Sequence, residues 1–308
     1  MRSSTDSAPP ILKSAARSDP NTPTLNNVLR WAVSRLQCGA VGDLRREAVG
    51  LWARVTETDL AMPVTAADRQ VQEGQWERFR AAVERRAAGE PAQYATGFAG
   101  FRTLELLVDR RVLIPRPETE GLVQRVLDWA EAEGRWGAVV DIGAGSGCIA
   151  LSLALEGSFS RVIATDVSEE ALAVAADNAA RINPDTPLEL CLGEFFDPVE
   201  GTTFDAVVSN PPYVTAEEFD RLEAGVRLHE PRVALVSGER GMRHTRLLLE
   251  TAIGHLEPGG LLAIEIDSQR ADIALSLAVR CGWGAARIEN DVFGRPRYLL
   301  ANTPVRQR

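Results

Sequence analysis

From about residue 137 onward, short apolar runs alternate with stretches of helical periodicity, and that alternation leaves few folds open. The runs lie at 137–142, 161–166, 187–192, 204–209 and 260–266. Each is rich in Val, Ile, Leu and Ala and is bounded by polar or glycine-containing residues, the pattern of strands buried on both faces. Strands joined through helices run parallel, because the crossover returns the chain to the same edge of the sheet. The expected class is therefore α/β, a mostly parallel Rossmann-like sheet wrapped on both faces. A final pair, about 284–289 and 296–301 around Gly294-Arg295-Pro296, reads as an antiparallel close. No internal repeat is evident. Ligands of such sheets bind at the carboxyl ends of the strands, so the chemistry is expected at those ends.

The first strand runs into Asp141-Ile142-Gly143-Ala144-Gly145-Ser146-Gly147-Cys148. Glycines let the backbone turn tightly and let a ligand approach it, and the helix that follows offers free N–H groups. The dinucleotide fingerprint requires a glycine where Cys148 stands. The pattern is instead D-x-G-x-G-x-G, whose acidic residue, Asp141, disfavours a pyrophosphate and attracts an ammonium. Asp166 ends the second strand about 20 residues past the glycines, where a carboxylate accepts ribose hydroxyls. The two together point to an adenosyl amino acid. On the third strand, Glu194 can accept from an adenine amino group and Phe195 can flank the base, while Phe196 reads as core. The fourth strand ends in Asn210-Pro211-Pro212-Tyr213. Its Asn amide oxygen and prolyl carbonyl can hold a planar NH₂ group by its two protons, with Tyr213 against the same flat group. A plain Asn-Pro turn and a packing-only glycine turn are the bland alternatives.

Charge and composition exclude several classes. A formal net charge of −9 with no long basic run argues against a general grip on nucleic acid. The cysteines at 38, 148, 191 and 281 form no C-x-x-C pair, and His229, His244 and His255 lie apart. Neither a metal centre nor a disulfide framework is expected. No 18-residue apolar run and no apolar leader is present, so a cytoplasmic protein off the membrane is expected.

Ahead of the sheet, residues 1–21 are rich in Ser, Pro, Asp and Ala and are expected to form a disordered tail. Residues 22–88 carry three apolar stripes at helical spacing. They are Leu25, Val28, Leu29, Ala32, Val33 and Leu36, then Leu44, Ala48, Leu51, Trp52 and Val55, then Trp76, Phe79, Val83 and Ala87. A small helical bundle follows, its stripes core and its exposed face free to receive a partner. Residues 89–117 are expected as a hairpin linker, with Leu104, Leu106 and Val108 turning at Asp109–Arg111 into Val112 and Ile114. Pro117 suits the first turn of the next helix, which opens the catalytic domain at 118–308.

These motifs together resemble the HemK/PrmC family. Its members are S-adenosylmethionine-dependent enzymes that methylate the side-chain amide of the glutamine in the Gly-Gly-Gln loop of peptide chain release factors. The resemblance spans about residues 25–301. It rests on Gly89-Glu90-Pro91, Tyr94-Ala95-Thr96-Gly97, the glycine loop, Asn210 to Tyr213, Glu230-Pro231-Arg232 and, most specifically, Ile114-Pro115-Arg116-Pro117-Glu118-Thr119-Glu120. It implies a Rossmann-like methyltransferase sheet, S-adenosylmethionine as cofactor, a release factor as partner and a monomer. By position it assigns Gly143 to Gly147, Asp166, Phe195 and Asn210 to the cofactor, and Asn210 to Tyr213 to the glutamine. Phe101 matches a family aromatic beside the reactive end of the cofactor, and Arg116 and Glu120 a segment that buttresses the site. Glu194, Ser237 and Asp267 stand where the family often has Asp, Gly and Gly.

Catalysis in such a site rests on positioning, since the amide lone pair is delocalised and no strong base is at hand. On residues alone, an adenine-amino methyltransferase of DNA or RNA remains open, because the same tetrapeptide grips that amino group. So do a glutamine methyltransferase of a ribosomal protein and a cofactor-binding scaffold without turnover.

Overall fold

The computed structural model describes residues 23–36, 43–58 and 67–305, so the expectation for residues 1–21 lies outside the described residues. Two compact units divide at Ala88 and Gly89. In the first, helices Leu25–Leu36, Leu44–Thr56 and Glu73–Ala87 pack on one another. Their apolar stripes meet: Leu25, Leu29, Ala32, Leu51, Trp52, Phe79 and Val83 are buried, and Trp52 sits edge-on to Phe79 at 5.2 Å. Asp43 caps the second helix by accepting from the Arg45 and Arg46 N–H groups, which would otherwise lack intrahelical partners.

The second unit opens with a hairpin, β1 (Phe98–Phe101) and β2 (Leu104–Leu107). The sheet follows with β3 (Ala138–Ile142), β4 (Arg161–Asp166), β5 (Leu188–Leu192), β6 (Phe204–Ser209), β7 (Leu256–Glu265), β8 (Ala285–Asn290) and β9 (Pro296–Asn302). Its order is β5-β4-β3-β6-β7-β9-β8, parallel except for β9, which runs antiparallel to both neighbours. Alternate residues serve opposite faces. Val139, Val162, Val208 and Ala263 join one core cluster; Val140, Ile163, Val207 and Ile264 join the other. Helices Pro117–Glu133 and Cys148–Glu156 cover the first face, and helices Arg243–Thr251 and Ala271–Arg280 the second. Burial on both faces is why the inner strands β3, β4 and β6 show no polar alternation, whereas the edge strands β5 and β8 are partly exposed.

The hairpin lies one strand earlier than the sequence spacing indicates. β2 pairs with Phe98–Phe101, turning at Arg102 with φ 51°, and does not pair with 112–114. The Asp109 turn forms, its carboxylate accepting from Arg111 N, but the chain beyond it finds side-chain partners in place of a ladder. Tyr94 donates its hydroxyl proton to the Val112 carbonyl at 2.5 Å, and the Ile114 N–H donates to Glu230 at 3.3 Å. Those bonds satisfy buried backbone groups that would otherwise demand a strand neighbour.

Candidate active site

The carboxyl ends of β3, β4 and β6 surround a cavity of about 340 Å³, and every residue that lines it belongs to the unit beginning at Gly89. The glycine loop forms its floor. Gly143 N–H and Ala144 N–H donate to the Thr165 carbonyl at 2.8 and 2.9 Å, fastening the loop across the end of β4. Gly143, Gly145 and Gly147 all hold positive φ, at 82°, 54° and 80°. A Cβ at 143 or 145 would meet no protein atom within 4 Å, whereas one at 147 would press on Leu151 and Ala175. The first two glycines thus leave bare backbone toward the cavity, and the third lets the next helix pack closely.

Asp166 lies at the cavity wall with its carboxylate oriented by the backbone. Gly145 N–H donates to Oδ2 at 2.8 Å and Ser168 N–H to Oδ1 at 2.9 Å. Each oxygen keeps a further acceptor site. Asp141 lies below the loop, fully buried and off the cavity wall. Its Oδ2 accepts from Ala150 N–H at 3.2 Å, and Oδ1, like the Ser146 hydroxyl, has no partner among the described residues. Burial, with the nearby Asp166 charge acting the same way, pushes the Asp141 carboxyl up to about 7. Glu194 and Phe195 both line the cavity; Glu194 is half exposed, its carboxylate 3.7 Å from the Arg243 guanidinium. Phe195 adopts φ 48°, and its carbonyl accepts from Thr165 Oγ1 at 3.1 Å. Phe196 is buried and stacks on His255 at 4.3 Å.

Asn210, Pro211 and Pro212, at the end of the neighbouring strand β6, line the same cavity as the glycine loop residues. The Asn210 amide donates through Nδ2 to Thr119 Oγ1 at 2.9 Å, which leaves Oδ1 without a protein donor among the described residues. Tyr213 is half-buried and off the wall. Its hydroxyl donates to Glu265 at 3.4 Å, and burial beside that carboxylate holds the phenol well above its ordinary range. Arg116 lines the cavity and donates to Glu230 Oε1 at 2.6 Å, tying the segment before helix Pro117–Glu133 to residue 230. Glu120 faces the hairpin turn, accepting from Arg102 N–H at 3.1 Å. Phe101 differs from its family-based expectation: it is 1% exposed, packed with Leu106, Leu122 and Val126 in the core and absent from the cavity wall. Its place in a four-residue strand whose inward face meets helix Pro117–Glu133 explains the burial.

Comparison with known proteins fits this arrangement. Residues 27–97 match the PrmC N-terminal domain and residues 122–238 the methyltransferase small domain. A release factor glutamine methyltransferase of Koribacter versatilis is 37% identical over 282 residues, covering 91% of this chain and 99% of that protein. One from Moorella thermoacetica is 39% identical over 279 residues, covering 90% of this chain and 98% of its own. The chain belongs to the release factor glutamine methyltransferase family. Among solved structures, a methyltransferase from Pyrococcus furiosus shares the fold, with TM-score 0.50, 22% identity, and coverage of 66% of this chain and 90% of its own.

Several groups around this family site have no role that the sequence assigns. Buried Thr119 and Glu265 join half-buried Asn210 and Tyr213 in one polar cluster. The His244 ring lies 5.9 Å from Phe195 and pairs through Nδ1 with the Ser237 hydroxyl at 2.7 Å. Burial, reinforced by Arg243, lowers the pKa of His244. Position could have flagged Glu265, since it ends a central strand at the ligand edge as Asp166 does. Ser237 and Asp267 sit at φ −119° and −69°, so neither place needs the conformational freedom of a glycine.

Proposed function

We propose that this chain transfers the methyl group of S-adenosylmethionine to the side-chain amide nitrogen of the glutamine in the Gly-Gly-Gln loop of peptide chain release factors. The observation that carries the reading is the Asn210 amide. Its nitrogen is engaged by Thr119 and its oxygen is left as an acceptor, on the wall of the cavity that the glycine loop and Asp166 also line. The residues present suit an adenosyl amino acid. Gly143 and Gly145 offer bare backbone, Asp166 has spare acceptor capacity for ribose hydroxyls, and Phe195 supplies an aromatic wall for a base. Asp141 acts beneath the loop, where its carboxyl accepts from Ala150 N–H and ties the end of β3 to the helix that follows the glycines.

When bound, the cofactor supplies a methyl group on a sulfonium, and with it the intrinsic reactivity. The protein's part is to aim a poor nucleophile. Asn210 Oδ1 and the Pro211 carbonyl each accept one proton of the substrate NH₂, which fixes the amide plane and raises electron density on nitrogen. Orientation of this kind is worth up to about 7–11 kcal/mol. Acceptors already in place for the positive charge that develops on the N–H groups add to it. The surplus proton leaves to water after transfer. Tyr213, held by Glu265, stiffens the end of the tetrapeptide.

Residues 22–88 take the role of docking surface. One glutamine side chain presents too few atoms for affinity toward a folded protein, so recognition requires surface outside the cavity. An adenine-amino methyltransferase, open on the tetrapeptide alone, is not the family to which the chain belongs. Among the described residues no helix is long and apolar enough to cross a membrane, and no cluster of His, Cys, Asp or Glu could hold a metal. The test is methyl transfer to purified release factor against the same factor with its loop glutamine changed to alanine. Label in the first alone supports the reading. Equal label in both, or in neither, overturns it.

A further inference from the structure

Glu265 ends β7 with 1% of its surface exposed, and Thr119, in the first turn of helix Pro117–Glu133, has 2%. Their side chains form a line to Asn210. Thr119 Oγ1 lies 2.7 Å from Glu265 Oε2, and Asn210 Nδ2 lies 2.9 Å from Thr119 Oγ1. We propose that Glu265 and Thr119 act as a proton-ordered chain that decides which end of the Asn210 amide meets the substrate, making both positioning residues for methyl transfer. The proposal rests on the function given above.

The argument is a count of protons. A carboxylate only accepts, so the hydroxyl between them must donate its single proton to Glu265. The Thr119 oxygen then has only acceptor capacity left, and the atom facing it must be the Asn210 NH₂. The amide oxygen is thereby turned to the other side, where an acceptor is needed to hold the substrate NH₂. The reversed amide would set two acceptor oxygens against each other at Thr119 and present NH₂ to NH₂ in the cavity. Each such mismatch leaves a polar group unsatisfied.

The order of protons depends on the charge of Glu265. Arg297 from β9 favours the ionised form. Glu118, on the helix that carries Thr119, disfavours it. Tyr213 donates to Oε1, and Tyr298 of β9 and Cys148 also lie within electrostatic reach. Burial outweighs these influences and pushes the Glu265 carboxyl up to about 7. Once protonated, the carboxyl can donate to Thr119, the hydroxyl can donate onward, and the Asn210 amide can reverse. Turnover should therefore fall on the acid side of about pH 7 for this reason alone.

The test compares kcat, KM and the pH profile of the full-length protein with those of Thr119→Val, Thr119→Ser and Glu265→Gln, acting on purified release factor. Thr119→Val keeps shape and removes the acceptor. Its kcat should drop about 10- to 100-fold with cofactor affinity nearly unchanged, and Thr119→Ser should restore most of the rate. Glu265→Gln should lose the acid limb of kcat. A Thr119→Val enzyme within about twofold of wild-type kcat, or an acid limb unchanged in Glu265→Gln, overturns the proposal. If Thr119→Val does not fold, as judged by circular dichroism, the Glu265→Gln profile decides. An unmodified protein inactive on release factor would instead overturn the function on which the chain depends. Wild-type activity shared equally by Thr119→Val would overturn the chain alone.

Discussion

Replacing Asn210 by Ala tests the aiming mechanism most simply, because the structure separates what that side chain does for the fold from what it does for the substrate. For the fold, it makes one hydrogen bond, from Nδ2 to Thr119, and Thr119 keeps its other bond to Glu265 when that is lost. The expected stability cost is about 0.5–1.5 kcal/mol, small against the roughly 5–15 kcal/mol of a typical domain. The variant should therefore fold. For the substrate, the loss is one preorganised acceptor at the reacting nitrogen, for which about 2.7–4 kcal/mol, or 10²–10³ in kcat, is the expected scale. The cavity keeps its glycine loop and Asp166, so cofactor affinity should change little. Single-turnover transfer at saturating release factor reads the chemical step, and calorimetry reads cofactor binding. A variant within about threefold of the wild-type rate would refute the mechanism, since the Pro211 carbonyl alone can hold only one of the two substrate protons.

Other perturbations separate the remaining parts. Asp166→Ala removes the carboxylate that accepts from Gly145 and Ser168 and is assigned to the ribose, so S-adenosylmethionine affinity measured by calorimetry should weaken by about 10- to 150-fold, or roughly 1.5–3 kcal/mol; unchanged affinity would contradict the assignment. A fragment from Glu90 to Arg308 that is folded by circular dichroism should still bind the cofactor and should lose far more activity on intact release factor than on a short Gly-Gly-Gln peptide; equal loss on both would mean that residues 22–88 shape the site itself. Glu265 and Asp141 both have carboxyls raised by burial to about 7, so the folded protein keeps protons that the unfolded chain has released. Their contribution to stability is full below about pH 4 and is lost as pH rises toward 7, so Glu265→Gln should flatten the fall in melting temperature between pH 5 and 8; an unchanged slope would speak against a buried, proton-binding Glu265.

The centre of the sheet was legible because both of its faces are buried there, which makes Val139–Ile142 and Phe204–Ser209 largely apolar runs with clear ends, interrupted only by Asp141, Asp205 and Ser209. The hairpin was not. Its turn at Arg102 contains neither Gly nor Asn, and Phe98-Ala99-Gly100-Phe101 is a weak strand by composition. β7 begins at Leu256, ahead of the run at 260–266, because Glu257 to Gly260 form an irregularity that no hydrophobic period records. At the site, the glycine loop, Asp166, Glu194, Phe195 and Asn210 declared themselves through strand ends. Thr119 and Glu265 did not, since 146 residues separate them and only the tertiary fold brings helix Pro117–Glu133 over the end of β7. Phe101 shows the opposite limit: an aromatic matched by position alone lies in the core when a four-residue strand turns it inward.

The central claim is the identity of the acceptor atom, and mass spectrometry tests it most directly. Release factor incubated with the protein and methyl-labelled S-adenosylmethionine should gain one methyl group, mapped by peptide fragmentation to the side-chain amide nitrogen of the Gly-Gly-Gln glutamine. A methyl group on any other residue, or a release factor left unlabelled while nucleic acid takes up the label, would contradict the account.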